Sequence, residues 1–298
     1  MNTIKTIILS CFTFLFSSCI REGMIACPPT VNLRLTFSYT GDTENPTMFM
    51  RCIDQVALMV YDESERLILT RNISKDELII QQGTELYLAP GNYKIICWGN
   101  THEHTELYQC ESFAGGRLHH PFFAEGKEMP THSHLYYGTY TVEVSDEGIV
   151  QGDIPFRGAH INIEVYIRDA DIAADVPGKY PQIEAHHLMP EYDMEMLPAQ
   201  SYSTTYYPET TFNPERRLNQ TLFQVLRFGD DNPVYIEIKD PSGMLKCNIE
   251  LKKYMADNKI SVDNKNEATV PILIEFTDLG TVIKLPEWII NEVNPGTR

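Results

Sequence analysis

The stretch VNLRLTFSY, residues 31–39, decides the fold, because its apolar and polar residues alternate with a period of two. Val31, Leu33, Leu35 and Phe37 fall on one face of such a strand, and the residues between them are polar. This alternation is typical of an antiparallel strand with one face in a core and the other in solvent. The stretch therefore predicts a half-buried β-strand.

Patterns of the same kind continue along most of the chain. The alternation recurs in YYGTYTVEV (136–144) and HINIEVYI (160–167), whereas QVALMVYD (55–62) is apolar on both faces, as expected for a strand covered on both sides. The two strands of ELYLAPGNYKIICWGN (85–100) meet at Pro90-Gly91-Asn92, where proline and glycine favour a turn. Many short strands at regular spacing predict an all-β protein of sandwiches packed face to face.

The second half has the clearest hairpin signals. NPVYIEIKDPSGMLKCNIEL (232–251) turns at Asp240–Gly243, and ATVPILIEFTDLGTVIKLPEW (268–288) turns at Asp278–Gly280. Short helices are expected only near 49–55 and 250–258. The segment 101–135 shows little periodicity and is expected to be a loop. The segment 170–233, rich in Pro, Tyr and Thr, is expected to combine loops, edge hairpins and irregular turns. The turn cluster SDEG (145–148) predicts a boundary between domains 28–148 and 149–298.

The start of the chain predicts export and lipidation. Residues 1–18 combine Lys5 with the apolar run Ile7–Phe16, which is too short to cross a hydrocarbon core of about 30 Å. Small serines then precede Cys19, as in a bacterial lipoprotein signal, in which the cysteine is acylated and becomes the new N-terminus. Several acyl chains, palmitate among them, hold a protein stably at a membrane. Residues 19–27 would then form a lipidated spacer.

The start of the chain is open to two other interpretations. Phe16 stands where the lipoprotein signal prefers an aliphatic residue, so the cysteine could follow an ordinary secretory signal by chance. Acylation at Cys11 fits the preferred letters better, but it would leave the apolar segment FTFLF on the mature protein. We therefore predict Cys19 as the lipidation site.

Composition narrows the classes of partner. The formal net charge of −17 disfavours nucleic acid and a bare anionic membrane surface. The chain has seven cysteines, and no pair has C-x-x-C spacing. A bridge between Cys97 and Cys110 is one alternative, with Cys97 as a buried free thiol the other. The pairing of the cysteines downstream of the predicted signal stays open; these are Cys27, Cys52, Cys97, Cys110 and Cys247.

The sequence has none of the local motifs of nucleophilic, phosphate-binding or dinucleotide-binding sites. No cofactor is therefore expected, and the chain is predicted not to be an enzyme. His132 and His134 form H-x-H, which on a strand would place both imidazoles on one face as a metal pair; the alternative is surface histidines in polar loops. Tyrosines in 200–212 would suit stacking on sugars, although tyrosine also favours strands.

Several stretches together resemble the fimbrillin-associated anchor lipoproteins of Bacteroidetes, the FimB-type fimbrial anchors. They are CPPTVNLRLTFSYTGD (27–42), FMRCIDQVALMVYDESERLI (49–68), LYLAPGNYKIICWGN (86–100), LYYG (135–138), NPVYIEIKDPSGMLKCNIEL (232–251) and IKLPEWII (283–290). The resemblance covers nearly the whole mature chain, and its motifs are structural rather than catalytic.

The resemblance implies two tandem transthyretin-like β-sandwich domains and a role in fimbria assembly. A protein of this kind holds the base of the fibre at the outer membrane and limits the fibre's length. It would bind a fimbrial subunit by accepting one of its strands, because an open sheet edge offers backbone hydrogen bonds. We expect Val31, Leu33, Leu35 and Phe37 to mark the acceptor. The chain ends soon after Trp288, so removal of residues 289–298 is expected to leave fibre attachment intact.

A second interpretation is a surface glycan-binding lipoprotein or tip adhesin that uses the loops of 101–135 and the tyrosines of 200–212. A cell-surface hydrolase is a third, for which no pair of carboxylates stands out in the sequence.

Overall fold

The computed structural model describes residues 31–169, 178–199 and 203–289. Within these ranges the chain is built mainly of strands, with a few short helices. The strands form four hydrogen-bonded sheets in the described part of the chain, which have seven, five, four and three strands. The prediction of an all-β protein is therefore confirmed.

The first half of the chain forms the seven-stranded sheet, in the order β3-β2-β5-β8-β9-β1-β4. Its strands are β1 (Leu33–Ser38), β2 (Val56–Tyr61), β3 (Leu67–Ile73), β4 (Gly83–Leu86), β5 (Gly91–Gly99), β8 (Tyr136–Val144) and β9 (Val150–Gly158). The short strands β6 (Glu106–Tyr108) and β7 (Arg117–His119) lie between β5 and β8 in the sequence, and the helices of this half are α1 (Met48–Cys52), α2 (Lys75–Ile80) and α3 (Pro121–Ala124). The strands β1 and β9 run parallel, and the other pairs are antiparallel.

The second half forms a five-stranded sheet in the order β14-β15-β10-β18-β19 and a four-stranded sheet in the order β13-β11-β16-β17. Its strands are β10 (His160–Asp169), β11 (Gln182–Leu188), β12 (Glu191–Asp193), β13 (Thr204–Tyr206), β14 (Thr211–Asn213), β15 (Leu218–Leu226), β16 (Tyr235–Lys239), β17 (Leu245–Glu250), β18 (Thr269–Thr277) and β19 (Gly280–Lys284), and its helix is α4 (Leu251–Asp257). As in the first half, the opening strand runs parallel to a strand near the end, β10 beside β18.

Each half has its own apolar core. In the first, the inward side chains of β1 pack with those of β2, β5, β8 and β9. The Phe37 ring stacks on Phe49 and makes an edge contact with Phe156. In the second, alternate residues of β10 pack with β18, β15 and the four-stranded sheet. Alternation with a period of two is what allows one face of each strand to enter these cores.

The outer face of β2, β5 and β8 is covered as well. Met59, Tyr61 and Trp98 pack there against a three-stranded sheet of β6, β7 and β12. The expectation that β2 is buried on both faces is therefore confirmed. The loop prediction for 101–135 was wrong in part, because β6, β7 and α3 lie in it.

The described cysteines Cys52, Cys97, Cys110 and Cys247 are all free thiols, so the bridge between Cys97 and Cys110 is not formed. Cys97 points into the core of the first half, whereas Cys110 packs on the opposite face of the sheet. Cys27 lies outside the described residues.

The predicted domain boundary at 148/149 does not coincide with the change of sheet. The strand β9 follows it and pairs with β1 and β8, so the seven-stranded sheet ends at Gly158 and the next sheet begins at His160. The cluster SDEG is thus a turn between two neighbouring strands. The division into two transthyretin-like domains stays a prediction, and we propose residue 159 as its boundary.

Local signals in the sequence account for the turns and helices. The Asp240 carboxylate accepts backbone hydrogen bonds from Ser242 and Met244, which closes the turn between β16 and β17. The predicted closing hairpin is β18–β19, with Thr277 opposite Gly280. The helix α2 was not predicted, although Ser74 and Glu77 form a capping box at its start.

Candidate functional site

The predicted acceptor residues lie on β1 or immediately before it. Leu33, Leu35 and Phe37 are buried in the first core, and Val31 is half-buried. The strand pairs with β4 on one side and with β9 on the other. Both edges of β1 therefore carry backbone hydrogen bonds, and the role of these residues as a strand acceptor stays a prediction.

The open edges of the seven-stranded sheet are β3 and β4, which are its outermost strands in the described part of the chain. A side chain joins them: the Arg71 guanidinium on β3 donates to the Glu85 carbonyl on β4 at 3.0 Å and also pairs with Glu77. We call this place the β3–β4 seam. In a closed barrel, backbone hydrogen bonds would join these two strands. Here the contacts of the Arg71 side chain join them instead.

The start of β3 is already occupied. The backbone of Leu67 donates to the Glu111 carbonyl, and Arg66 forms a bridge with Ser112. Further along β3, Ile68 is 45% exposed. Among the described residues, the part of β3 after Leu67 therefore has no backbone partner on its outer side.

The lipidation site Cys19 lies outside the described residues, so its prediction is not tested. None of the helices in the described ranges has the length and the apolar character needed to cross a bilayer.

The histidines cluster where the two halves meet, and the two imidazoles of H-x-H contact different neighbours. His132 packs against His120 and Tyr206, whereas His134 contacts His160. The H-x-H segment is not a strand, so alternation does not place the two imidazoles on one face. The alternative of surface histidines was wrong for His132, which is only 1% exposed.

Burial keeps these histidines neutral. It lowers the pKa of His132 to about 3 and that of His160 to about 4, because an imidazolium loses its hydration there. The pKa of His120 also falls to about 4, again chiefly by burial. Within the part of the chain that the structure describes, neither His132 ring nitrogen has a hydrogen-bond partner.

The pair His134–His160 has a defined proton arrangement. The Nδ1 of His160 lies 3.0 Å from the Leu135 carbonyl, which can only accept, so that nitrogen carries the proton. The Nε2 of neutral His160 is then an acceptor, and the Nδ1 of His134, 3.2 Å away, donates to it. This chain of hydrogen bonds joins the first half to β10.

A cavity of about 530 Å³ opens beside this cluster. Both halves line it with polar groups, including Arg51, Asp54, His132, Gln224 and Glu267. A smaller cavity of about 340 Å³ shares His104 and Thr131 with it. The predicted loops of 101–135 therefore do border cavities, together with β15. Of the predicted tyrosines, Tyr206 is buried, Tyr207 is partly exposed, and Tyr202 lies outside the described residues.

One family model matches most of the chain. Residues 24–294 match the family model of the fimbrillin-A associated anchor proteins Mfa1 and Mfa2. No curated protein matches the chain by sequence.

Solved structures share the fold at low sequence identity. A candidate adhesin from Bacteroides ovatus is 15% identical, with a TM-score of 0.69 over 90% of this chain and 96% of that one. A candidate polysaccharide-binding protein from Bacteroides thetaiotaomicron is 13% identical, with a TM-score of 0.67 over 85% and 95%. The fimbrial anchor protein Mfa2 from Porphyromonas gingivalis is 17% identical, with a TM-score of 0.59 over 84% and 94%.

Proposed function

Because the chain belongs to the family of fimbrillin-A associated anchor proteins, we propose that it is the lipid-tethered anchor of a fimbria and holds the base of the fibre at the outer membrane. The family consists of structural fimbrial proteins and is not an enzyme family, which implies a location in a fimbrial assembly at the cell surface. The match over residues 24–294 is the observation that carries this proposal.

The tether is Cys19. A short spacer separates it from β1, so the lipid would hold the first half of the molecule close to the membrane. Several acyl chains on one cysteine give stable attachment, whereas one chain gives only marginal binding.

The fibre subunit would attach by strand addition at the β3–β4 seam. Free strand edges are templates for a further strand, and backbone hydrogen bonds then supply affinity. At the seam the Glu85 carbonyl accepts a hydrogen bond from the Arg71 side chain. An incoming strand would take the place of this side-chain contact. The added strand would lie beside β4. On its other edge β4 pairs with β1, whose apolar side chains are buried in the first core and hold β4 in place.

Photo-cross-linking tests the seam. A photoreactive amino acid at Ile68 on β3, 45% exposed, is expected to capture a fimbrial subunit in fimbriated cells. The matched control is Leu222, which is 50% exposed but lies on β15, between β14 and β10. Capture from Leu222 and not from Ile68 would place the contact elsewhere and contradict the seam.

The variant Cys19→Ala tests the tether. Under the anchor proposal, complete fibres are shed into the medium, and mass spectrometry of the wild-type protein finds acyl chains on Cys19. Fibres that stay attached to cells carrying Cys19→Ala would contradict the proposal.

A second candidate function is glycan binding as a surface receptor or tip adhesin. The polar cavity between the two halves favours it, since amide, imidazole and carboxylate groups suit sugar hydroxyls. The similar structures include a candidate adhesin and a candidate polysaccharide-binding protein. Here the Cys19→Ala variant loses only its own surface retention and leaves the fibres on the cell, which separates the two functions.

A further inference from the structure

Three potential metal ligands meet on one face of the four-stranded sheet. Glu184 and His186 are two residues apart on β11, so their side chains share a face. Glu237 lies directly opposite Glu184 on the neighbouring strand β16. One ligand atom from each of the three residues lies within 4.8 Å of the other two, and all three side chains are largely shielded from solvent.

The two distances from the His186 imidazole to the carboxylates suit a four-coordinate ion. The Nε2 of His186 lies 3.4 Å from Glu184 Oε2 and 3.7 Å from Glu237 Oε2. Zinc binds such ligands at about 2.0–2.2 Å, which places neighbouring ligand atoms of a tetrahedron roughly 3.3–3.6 Å apart. The two distances from His186 Nε2 are thus close to the edges of such a tetrahedron, and a water would supply the fourth corner.

His186 is held in the orientation that a ligand requires. Its Nδ1 lies 3.0 Å from the Thr205 hydroxyl, and its ring stacks on Tyr235 with the centroids 4.5 Å apart. Its Nε2 is buried, faces the two carboxylates and has no hydrogen-bond partner among the described residues. A histidine fixed through one nitrogen, with the other nitrogen free among carboxylates, has the arrangement of a metal ligand with its supporting hydrogen bond.

Lys239 supplies a positive charge beside the same carboxylates. Its Nζ lies 2.5 Å from Glu184 Oε1 and 3.4 Å from Glu237 Oε2. Lys239 thus contacts Oε1 of Glu184, whereas His186 faces Oε2 of that residue. Both Lys239 and His186 face the same oxygen, Oε2, of Glu237. A bound ion would compete with Lys239 for Glu237, so the lysine is expected to weaken metal binding.

We propose that Glu184, His186 and Glu237 form a binding site for a zinc-class divalent ion. One imidazole nitrogen with two carboxylate oxygens suits zinc, whereas magnesium and calcium prefer oxygen ligands alone. The ion would join β11 to β16 through their side chains and thereby stabilise the four-stranded sheet.

Calorimetric titration of the full chain with zinc chloride tests the site. Wild-type protein is expected to bind zinc saturably, and His186→Ala to lose at least about tenfold in affinity. The matched control is His187→Ala, which removes the adjacent exposed histidine and is expected to bind as wild type does. Circular dichroism checks that both variants are folded.

Lys239→Met provides a test that does not depend on removing a ligand. It is expected to tighten zinc binding, because the competing ammonium is gone, and to leave magnesium binding undetectable. The proposal is overturned if zinc shows no saturable binding to the wild type, if His186→Ala and His187→Ala behave alike, or if Lys239→Met weakens the binding.

Discussion

Acidification is expected to destabilise the protein through the histidines between its two halves. The pKa of His160 is about 4 and that of His132 about 3 in the folded protein, against about 6.5 for an unfolded chain. Between these pKa values the unfolded chain therefore binds protons at His132 and His160, whereas the folded protein does not. A group with a lowered pKa contributes its full stability above about pH 6.5 and loses it as the pH falls towards the folded value.

The size of the effect follows from these values. At about pH 5 an unfolded histidine is almost fully protonated, whereas both buried histidines stay mostly neutral. The linkage relation gives a loss of roughly 2 kcal/mol per histidine between about pH 7.5 and pH 5, or about 4 kcal/mol for the pair. This is a large fraction of the 5–15 kcal/mol that stabilises a typical domain.

Urea unfolding at the two pH values measures this loss. The variant His160→Gln is expected to be less stable at neutral pH, because the contact with His134 is lost, but to show a pH dependence smaller by roughly 2 kcal/mol. His187→Ala, which removes an exposed histidine, is the matched control and should keep the full dependence. Equal stability of the wild type at both pH values, or an unchanged dependence in His160→Gln, would refute the reasoning.

Three substitutions are expected to lower the free energy of unfolding measured in urea. Phe37→Ala should cost about 3–5 kcal/mol, because Phe37 is buried between aromatic rings, whereas Ile79→Ala, at a 64% exposed position, should cost less than about 0.5 kcal/mol. Ser74→Ala removes the capping box of α2 and should cost about 1 kcal/mol. Gly158→Ala should cost roughly 1–3 kcal/mol, since its Cβ would lie 2.0 Å from the Asn266 carbonyl oxygen; a cost below that of Ile79→Ala would contradict this contact.

Local alternation was enough to predict long strands such as β1, but it did not predict which strands pair with them in the sheet. The alternation of VNLRLTFSY correctly placed Leu33, Leu35 and Phe37 in a core, because burial of every second residue leaves its mark in the sequence. The partners of β1 come from β4 and from β9, far along the chain, and no local signal records them. Whether a strand is central or at an edge therefore could not be read from its own residues.

Two other differences between the sequence pattern and the structure have the same origin. The turn cluster SDEG predicts a domain boundary, yet β9 follows it in the same sheet, because turn residues look alike within a sheet and between domains. The strands β6 and β7 are three residues long, too short for alternation to stand out. The capping box of α2, in contrast, was legible in the letters SKDE at residues 74–77.

The candidate site was the least predictable part. The H-x-H motif correctly drew attention to His132 and His134, but their roles depend on His120 and His160, which other segments bring to them. The β3–β4 seam is closed by the hydrogen bond from the Arg71 guanidinium to the Glu85 carbonyl, and no motif in the sequence predicts this contact.

The parallel pairing of β1 with β9 has a consequence for how the polypeptide acquires its structure. Contacts between these strands join residues 117 positions apart, such as Thr36 and Asp153, and those between β10 and β18 span 107, as for Arg168 and Glu275. Such long loops must close before any bond across them forms, which slows folding. During synthesis from the amino terminus, one edge of β1 thus lacks its partner strand until β9 has been made. In that interval the unpaired edge of the nascent chain can pair with a strand of another chain, so we expect this stage to depend on chaperones.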